Sequence, residues 1–211
     1  MEDQSNLIAA SSDQADLLFI SDNFPPVTGG SASVYHQLCQ HNSDKVVALT
    51  SRYTYLSVEK KNADTYDRGC GFRIYRRDFL RAAQRSGHGL GIFSRMLSLT
   101  DEIKLMLQIM VQVALICRRH NINPICVGEL IYGGWLVLFA KFILRKPVAI
   151  YTHGEEISQE SNAFFARMRG RFLKEANVIF SVSQFCTSQI VSIFGIVPAK
   201  NHTGAQWGRT K

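Results

Sequence analysis

The chain has 211 residues, 46% of them hydrophobic and 19% charged. A unit of this length buries roughly 70% of its extended-chain surface, so it folds without a disulfide or metal, and its composition excludes wholesale disorder. Lys and Arg number 24 against 17 Asp and Glu, a formal +7 that favours anionic partners such as phosphates, nucleotides or acidic lipids.

Residues 1–14 are polar and lack a basic start followed by an apolar run. They read as a loose leader and not as a signal peptide. Asp16-Leu17-Leu18-Phe19-Ile20 is almost continuously apolar, the pattern of a strand buried on both faces. Ser21 to Gly30 holds two prolines and two glycines, an ordered loop, and Ser31 to Gln40 reads as a helix with Val34, Leu38 and Tyr35 on one side. Val46 to Leu49 is a second strand, and Phe72 to Tyr75 a third. Residues 51–70 carry no clear period. Ser86 to Gly91 reads as a loop, including Gly87-x-Gly89-x-Gly91. Leu97 to His120 is a long helix whose predicted core face is Ile103, Leu107, Met110, Val111, Ala114 and Leu115, with Asp101 and Glu102 near its start and Arg118, Arg119 and His120 at its end. Then follow a strand at Ile125–Val127, a helix at Gly133–Leu144, a strand at Pro147–Tyr151, a helix over Ser161–Lys174, a strand at Asn177–Val182, and a helix from Ser183-Gln184 to Phe194-Gly195. Apolar strands alternating with helices predict an α/β fold: a doubly wound, mostly parallel, Rossmann-like sheet.

Five cysteines without C-x-x-C spacing read as reduced core thiols of a cytoplasmic protein. No apolar stretch reaches the ~18 residues of a membrane span. From Arg68 to Arg95 there are seven arginines and one acid, Asp78, interleaved with Phe72, Tyr75, Phe79, Leu80, Leu90, Ile92 and Phe93. A solvated face and contact with an anionic membrane surface, on the inner side, both fit this mixture. No nucleic-acid motif accompanies it.

In an open parallel sheet, ligands collect at the carboxyl ends of the strands. Three unusual segments follow strands and are expected to share that edge: Asp22–Gly30, Gly128-Glu129 and Thr152–Glu156. Asn23 and Glu129 stand in these loops as expected substrate contacts. Gly29-Gly30 before a helix suits either a diphosphate bound by exposed N–H groups or a simple reversing turn. His153-Gly154-Glu155-Glu156 places an imidazole and two carboxylates in one turn, fit for sugar hydroxyls and proton transfer or for hydrogen bonding to nearby backbone. There is no G-x-G-x-x-G after a strand, no P-loop and no H-E-x-x-H, so no cofactor and no metal is expected.

Ser21-Asp22-Asn23-Phe24-Pro25-Pro26-Val27-Thr28-Gly29-Gly30 before a helix resembles the opening of the glycosyltransferase family 4 N-terminal domain. Tyr151-Thr152-His153-Gly154-Glu155-Glu156 is similar to that family's H-G-x-E/D turn, and Ala176-Asn177-Val178-Ile179-Phe180-Ser181-Val182-Ser183 to its strand-to-helix step. Order and spacing agree across residues 15–197, with a flavour of the bacterial lipid-acceptor mannosyl- and hexosyltransferases. The resemblance implies one lobe of a GT-B enzyme that transfers a hexose from a nucleotide-sugar donor to a lipid or glycan acceptor with retention and without a metal. It implies that Gly29 and Gly30 approach the donor diphosphate, that His153 contacts the donor sugar, and that Glu155 or Glu156 positions hydroxyls, with His153 and Glu156 as the catalytic pair.

The family's donor half carries a Glu-x7-Glu motif, and no two glutamates here are eight positions apart. The expected organisation is therefore a leader at 1–14, an acceptor domain at 15–197, a truncated linker at 198–211, and a separate C-terminal half without which the chain is inactive. The alternative is a non-catalytic Rossmann-like module that binds anionic lipid or a partner protein.

Overall fold

The computed structural model describes residues 15–53, 63–81, 92–158, 163–196 and 201–203. The leader, the Ser86–Gly91 loop and most of 198–211 lie outside the described residues.

Seven strands form one sheet: β1 Leu17–Ile20, β2 Val46–Ser51, β3 Arg73–Arg77, β4 Ile125–Val127, β5 Val148–Thr152, β6 Val178–Ser181 and β7 Asn201–Thr203. The spatial order is β3-β2-β1-β4-β5-β6-β7 and every pairing is parallel. The doubly wound parallel sheet expected from the strand–helix alternation is what the chain forms. β7 lies within 198–211, where the sequence alone suggests only a tail.

Central strands are apolar throughout because helices cover both faces. Along β1 the side chains alternate. Leu18 and Ile20 enter a core with Ile109, Val113 and Ile116, while Leu17 and Phe19 enter a second core with Phe24, Tyr35, Leu38 and Phe72. Helix α1 spans Gly30–His41, α2 Ala63–Gly69, α3 Ile92–Arg119, α4 Leu130–Leu138, α5 Gly154–Ser158, α6 Ala163–Glu175 and α7 Gln184–Phe194. A π turn at Phe139–Ile143 continues α4. Ser183 caps α7 by accepting from Cys186 N at 3.2 Å, and Gly195 closes it in the left-handed region with φ 63°.

Three expectations change. α2 and α5 are short helices in segments too polar to show a period, whereas the helix predicted at Ser161–Lys174 forms as α6. α4 begins at Leu130, three residues early, because its first N–H is capped from another element. In α3 the predicted core face is only partly right: Met110 and Ala114 pack against the core, but the rest of that stripe does not. Leu99, Ile103, Leu107, Val111 and Leu115 are 55–62% exposed, whereas Ile109, Val113, Ile116 and Cys117 meet the sheet. Both sets recur at three- or four-residue spacing, so periodicity alone selects no face. Asp101 and Glu102 lie in the third turn, not the first. No described helix is long and apolar enough to cross a membrane.

None of the five cysteines forms a disulfide. Four are buried, and burial pushes Cys126 up to about 12 and Cys117 up to about 11, so these thiols stay protonated and unreactive.

Candidate functional site

Strand order reverses between β1 and β4, and a ligand crevice forms outside the carboxyl ends at such a point. The polypeptide leaving β1 and the polypeptide leaving β4 are pressed together there. Gly128 N donates to Ile20 O at 2.8 Å. A Cβ at Gly128 would stand 2.9 Å from Ser21 Cβ, so only glycine permits this approach.

From that contact a ring of hydrogen bonds joins the three loops. Asn23 donates through Nδ2 to Ser31 Oγ at the start of α1, and through its backbone N–H to Glu129 Oε1 at 3.0 Å. The next residue, Leu130, donates its N–H to Glu156 Oε1 at 3.0 Å, and Glu156 Oε2 lies 3.4 Å from His153 N. His153 Nε2 is 2.6 Å from the Tyr35 hydroxyl, which returns the path to α1. Tyr35 also donates to the Gly128 carbonyl. Residues more than a hundred positions apart are thus fixed against one another. The path links the Gly29-Gly30 helix start to the His153 turn.

Charge inside the ring follows from burial. Glu156 is pushed up to about 7, first by desolvation and then by Glu129, against the pull of its backbone donors. Glu129 is raised by desolvation and by Asp22, with Arg81 opposing. Tyr35 is raised well above its usual value, mainly by burial, and stays neutral. Glu156 also caps α4, where the helix dipole favours an anion. Beside the ring, Arg81 Nε pairs with Asp22 Oδ2 at 2.9 Å, and its guanidinium lies 4.0 Å from the Tyr132 ring centroid. These groups and Glu129 line a small recess with Ile20, Ile109 and Leu136.

Thr28, Gly29 and Gly30 are exposed at the start of α1, and no side chain caps that helix. A side chain at Gly29, Gly30 or Gly154 would meet open space, so their backbone is accessible from the crevice. Glu155 belongs to α5, with its side chain outside the described residues. Within the arginine stretch, Arg76, Arg77 and Arg81 bond inside the protein. Arg76 makes two 2.7 Å bonds to Asp67 and another to Pro25 O, holding the proline loop. Arg77 reaches Gln108 and Gln112 on α3. Among the described residues, no group of three or more His, Cys, Asp or Glu could hold a metal ion.

With that geometry in place, similarity to solved structures can be read. Anabaena Alr3699/HepE in complex with UDP is matched with a TM-score of 0.56 at 12% identity, over 89% of this chain and 43% of that one. The chain has a Rossmann-like, GT-B-type fold. The same Anabaena protein with UDP-glucose gives a TM-score of 0.55 at 11% identity and the same coverage. UDP-N-acetylglucosamine 2-epimerase from Rickettsia bellii gives 0.50 at 8% identity, over 89% of this chain and 44% of that enzyme. The chain thus spans less than half the length of these structures. No protein-family model and no curated protein matches the sequence.

The structure therefore places Asn23, Gly29, Gly30, Glu129, His153 and Glu156 at one sheet edge, and joins Asn23, Glu129, His153 and Glu156 through one hydrogen-bonded path. Tyr35 and Arg81 belong to the same edge but are absent from a motif-based reading, which includes Gly128 only as part of the Gly128-Glu129 loop. Tyr35 reads as one more core residue of α1, and its hydroxyl gains meaning only once β4 and β5 are placed beside β1.

Proposed function

We propose that this chain is the acceptor-side lobe of a GT-B glycosyltransferase of family 4 type, which moves a hexose from a nucleotide-sugar donor to a hydroxyl of a lipid or glycan acceptor. The observation that carries this reading is the hydrogen-bonded path from the α1 start to His153, bordered by open glycine backbone. It supplies anion-binding N–H groups next to an imidazole and buried carboxylates. The matched structures hold UDP and UDP-glucose, which agrees in kind.

In this reading Gly29 and Gly30 approach the diphosphate, His153 meets the sugar, and Asn23, Glu129 and Glu155 contact substrate hydroxyls. Glu156 serves the reacting centre through His153, whose backbone it holds. The bond from the sugar's anomeric carbon to the diphosphate oxygen breaks. A bond to the acceptor oxygen forms on the same face, and the hydroxyl proton leaves with the diphosphate. Preorganised donors at the diphosphate stabilise the leaving charge, and a second lobe closing over the crevice excludes water. No cofactor or metal enters this scheme. The lobe runs from about residue 15 and takes in β7 at Asn201–Thr203, and the donor's nucleotide is held mostly by the other lobe.

The test is sugar transfer and donor hydrolysis by the chain alone and with a candidate second lobe. Transfer only in the combined sample supports the reading, and robust turnover by the chain alone contradicts it.

A second reading is favoured by the exposed apolar ridge of α3. A non-catalytic module would dock by this ridge on an anionic membrane or a partner protein. Flotation with anionic and neutral vesicles separates the two surfaces, and the internal use of Arg76, Arg77 and Arg81 argues for weak vesicle binding.

A further inference from the structure

Helix α6 carries its arginines on two sides. Arg169 is buried, and its Nη1 donates to the Glu156 carbonyl at 2.6 Å, which ties α6 to α5. Arg167 and Arg171 are exposed. With the exposed Phe164 they stand at i, i+3 and i+7, one solvent face of the helix. The chain returns through α6 from β5 to the parallel strand β6, so the first turn of α6 stands at the carboxyl edge. Phe164 and Phe165 lie in that turn, with ring centroids 5.6 Å apart. Phe185 lies in the first turn of α7, at the same edge. All three rings are 58–64% exposed. The two helices run side by side, since a Cβ at Gly170 would stand 3.0 Å from the Phe194 ring.

We infer that α6 and the start of α7 form a docking face for an anionic lipid bilayer, on which Phe164, Phe165 and Phe185 enter the interfacial layer while Arg167 and Arg171 meet headgroup phosphates.

The sign and the layout of the face select this occupant. The sole acid of α6 and α7 is Glu175, at the far end of α6 and paired with Lys141 at 3.0 Å. The exposed charge beside the aromatic tips is therefore positive, which complements an anionic surface. Three exposed rings gain nothing from charge alone. They gain where an apolar phase lies beneath the charged layer, and a bilayer supplies both within roughly 5–10 Å of depth. A convex helix face offers no groove along which a polynucleotide could track.

The sequence offers the same mixture at Arg68–Arg95, but Arg76, Arg77 and Arg81 bond inside the protein. The α3 ridge is apolar too, yet Asp101 and Glu102 are exposed beside it and oppose an anionic surface. The weak vesicle binding argued for that ridge concerns a different face. Docking by α6 brings the carboxyl edge, and with it the crevice, to the bilayer, from which a lipid acceptor would be taken. Only this last step rests on the glycosyltransferase reading.

The test is flotation of the chain with vesicles of phosphatidylcholine alone and of phosphatidylcholine with an equal part of phosphatidylglycerol. Binding to the anionic vesicles and little to the neutral ones is expected. No flotation with anionic vesicles, or equal flotation with both, overturns the inference. Arg167→Gln and Arg171→Gln should each lower the anionic partition about fivefold. Phe164→Ser should lower it about tenfold or more. These side chains are exposed, so the fold is kept, as far-ultraviolet circular dichroism checks. Leu107→Ala on α3 should leave flotation unchanged. Flotation lost in Leu107→Ala and kept in the α6 variants overturns the assignment to α6. Tight binding of a single-stranded oligonucleotide that the α6 variants abolish overturns the bilayer as occupant. Flotation reads the surface alone, since it succeeds or fails whether or not the chain binds a nucleotide sugar.

Discussion

At the carboxyl edge of the sheet, polar side chains are buried and answered by partners from other elements. Along the outer face of α3, large apolar side chains stand in solvent. The two regions invert the usual rule, in opposite directions. Burying Asp22 and half-burying Glu129 and Glu156 costs desolvation that well-placed donors and Arg81 offset. Exposing Leu107 or Val111 forgoes burial the fold does not need. The edge is over-determined and rigid, so a change there propagates. The α3 ridge is not used by the fold, so a change there stays local.

The sharpest way to break this contrast is to remove Arg81. Its side chain is 9% exposed and that of Asp22 is 6%. Arg81→Ala removes the ion pair from a buried carboxylate and is expected to cost about 3–5 kcal/mol. Urea unfolding measures it, and Asp22→Asn in the same chain should recover part of the loss.

A pH series sharpens the contrast further. Glu156 titrates near 7 in the fold against 4.5 for the free group. Between those values the folded state binds more protons, so stability falls as pH rises through that window. The loss from this group is at most about 3 kcal/mol. Glu156→Gln should flatten the slope, leaving the contribution of Glu129 in the same direction. A slope that persists undiminished in Glu156→Gln counts against the buried carboxylate.

Gly128→Ala should come next. Its new methyl group presses on Ser21 across the β1–β4 contact, at a cost of about 1–3 kcal/mol by thermal unfolding. It should also disturb the Tyr35–His153 bond. The smallest effect belongs to the ridge. Leu107→Ala, at an exposed site, should change stability by about 0.5 kcal/mol or less. A larger loss would mean the ridge is covered in solution.

The same contrast explains what the sequence disclosed. Unbroken apolar runs such as Leu17–Ile20 can only be strands covered twice, and alternation with helices then forces parallel order. Parallel order places every strand's carboxyl end on one edge, so Asp22, Glu129 and His153 meet there whatever the loop details. Helix faces are less legible. α3 carries two adjoining apolar stripes, and only the sheet decides between them. The short helix α2 carries no apolar period, and α4 begins early because Glu156, 26 residues away, caps Leu130. Tyr35 is hidden for a related reason: a tyrosine on a buried helix face is indistinguishable from core until its hydroxyl finds Gly128 and His153.

The most direct test of the account is an amide chemical-shift map of the chain titrated with UDP-glucose. Shifts concentrated at Gly29, Gly30, His153 and Gly154 are predicted. Shifts gathered at the opposite, amino-terminal edge of the sheet, or none at millimolar ligand, would contradict it.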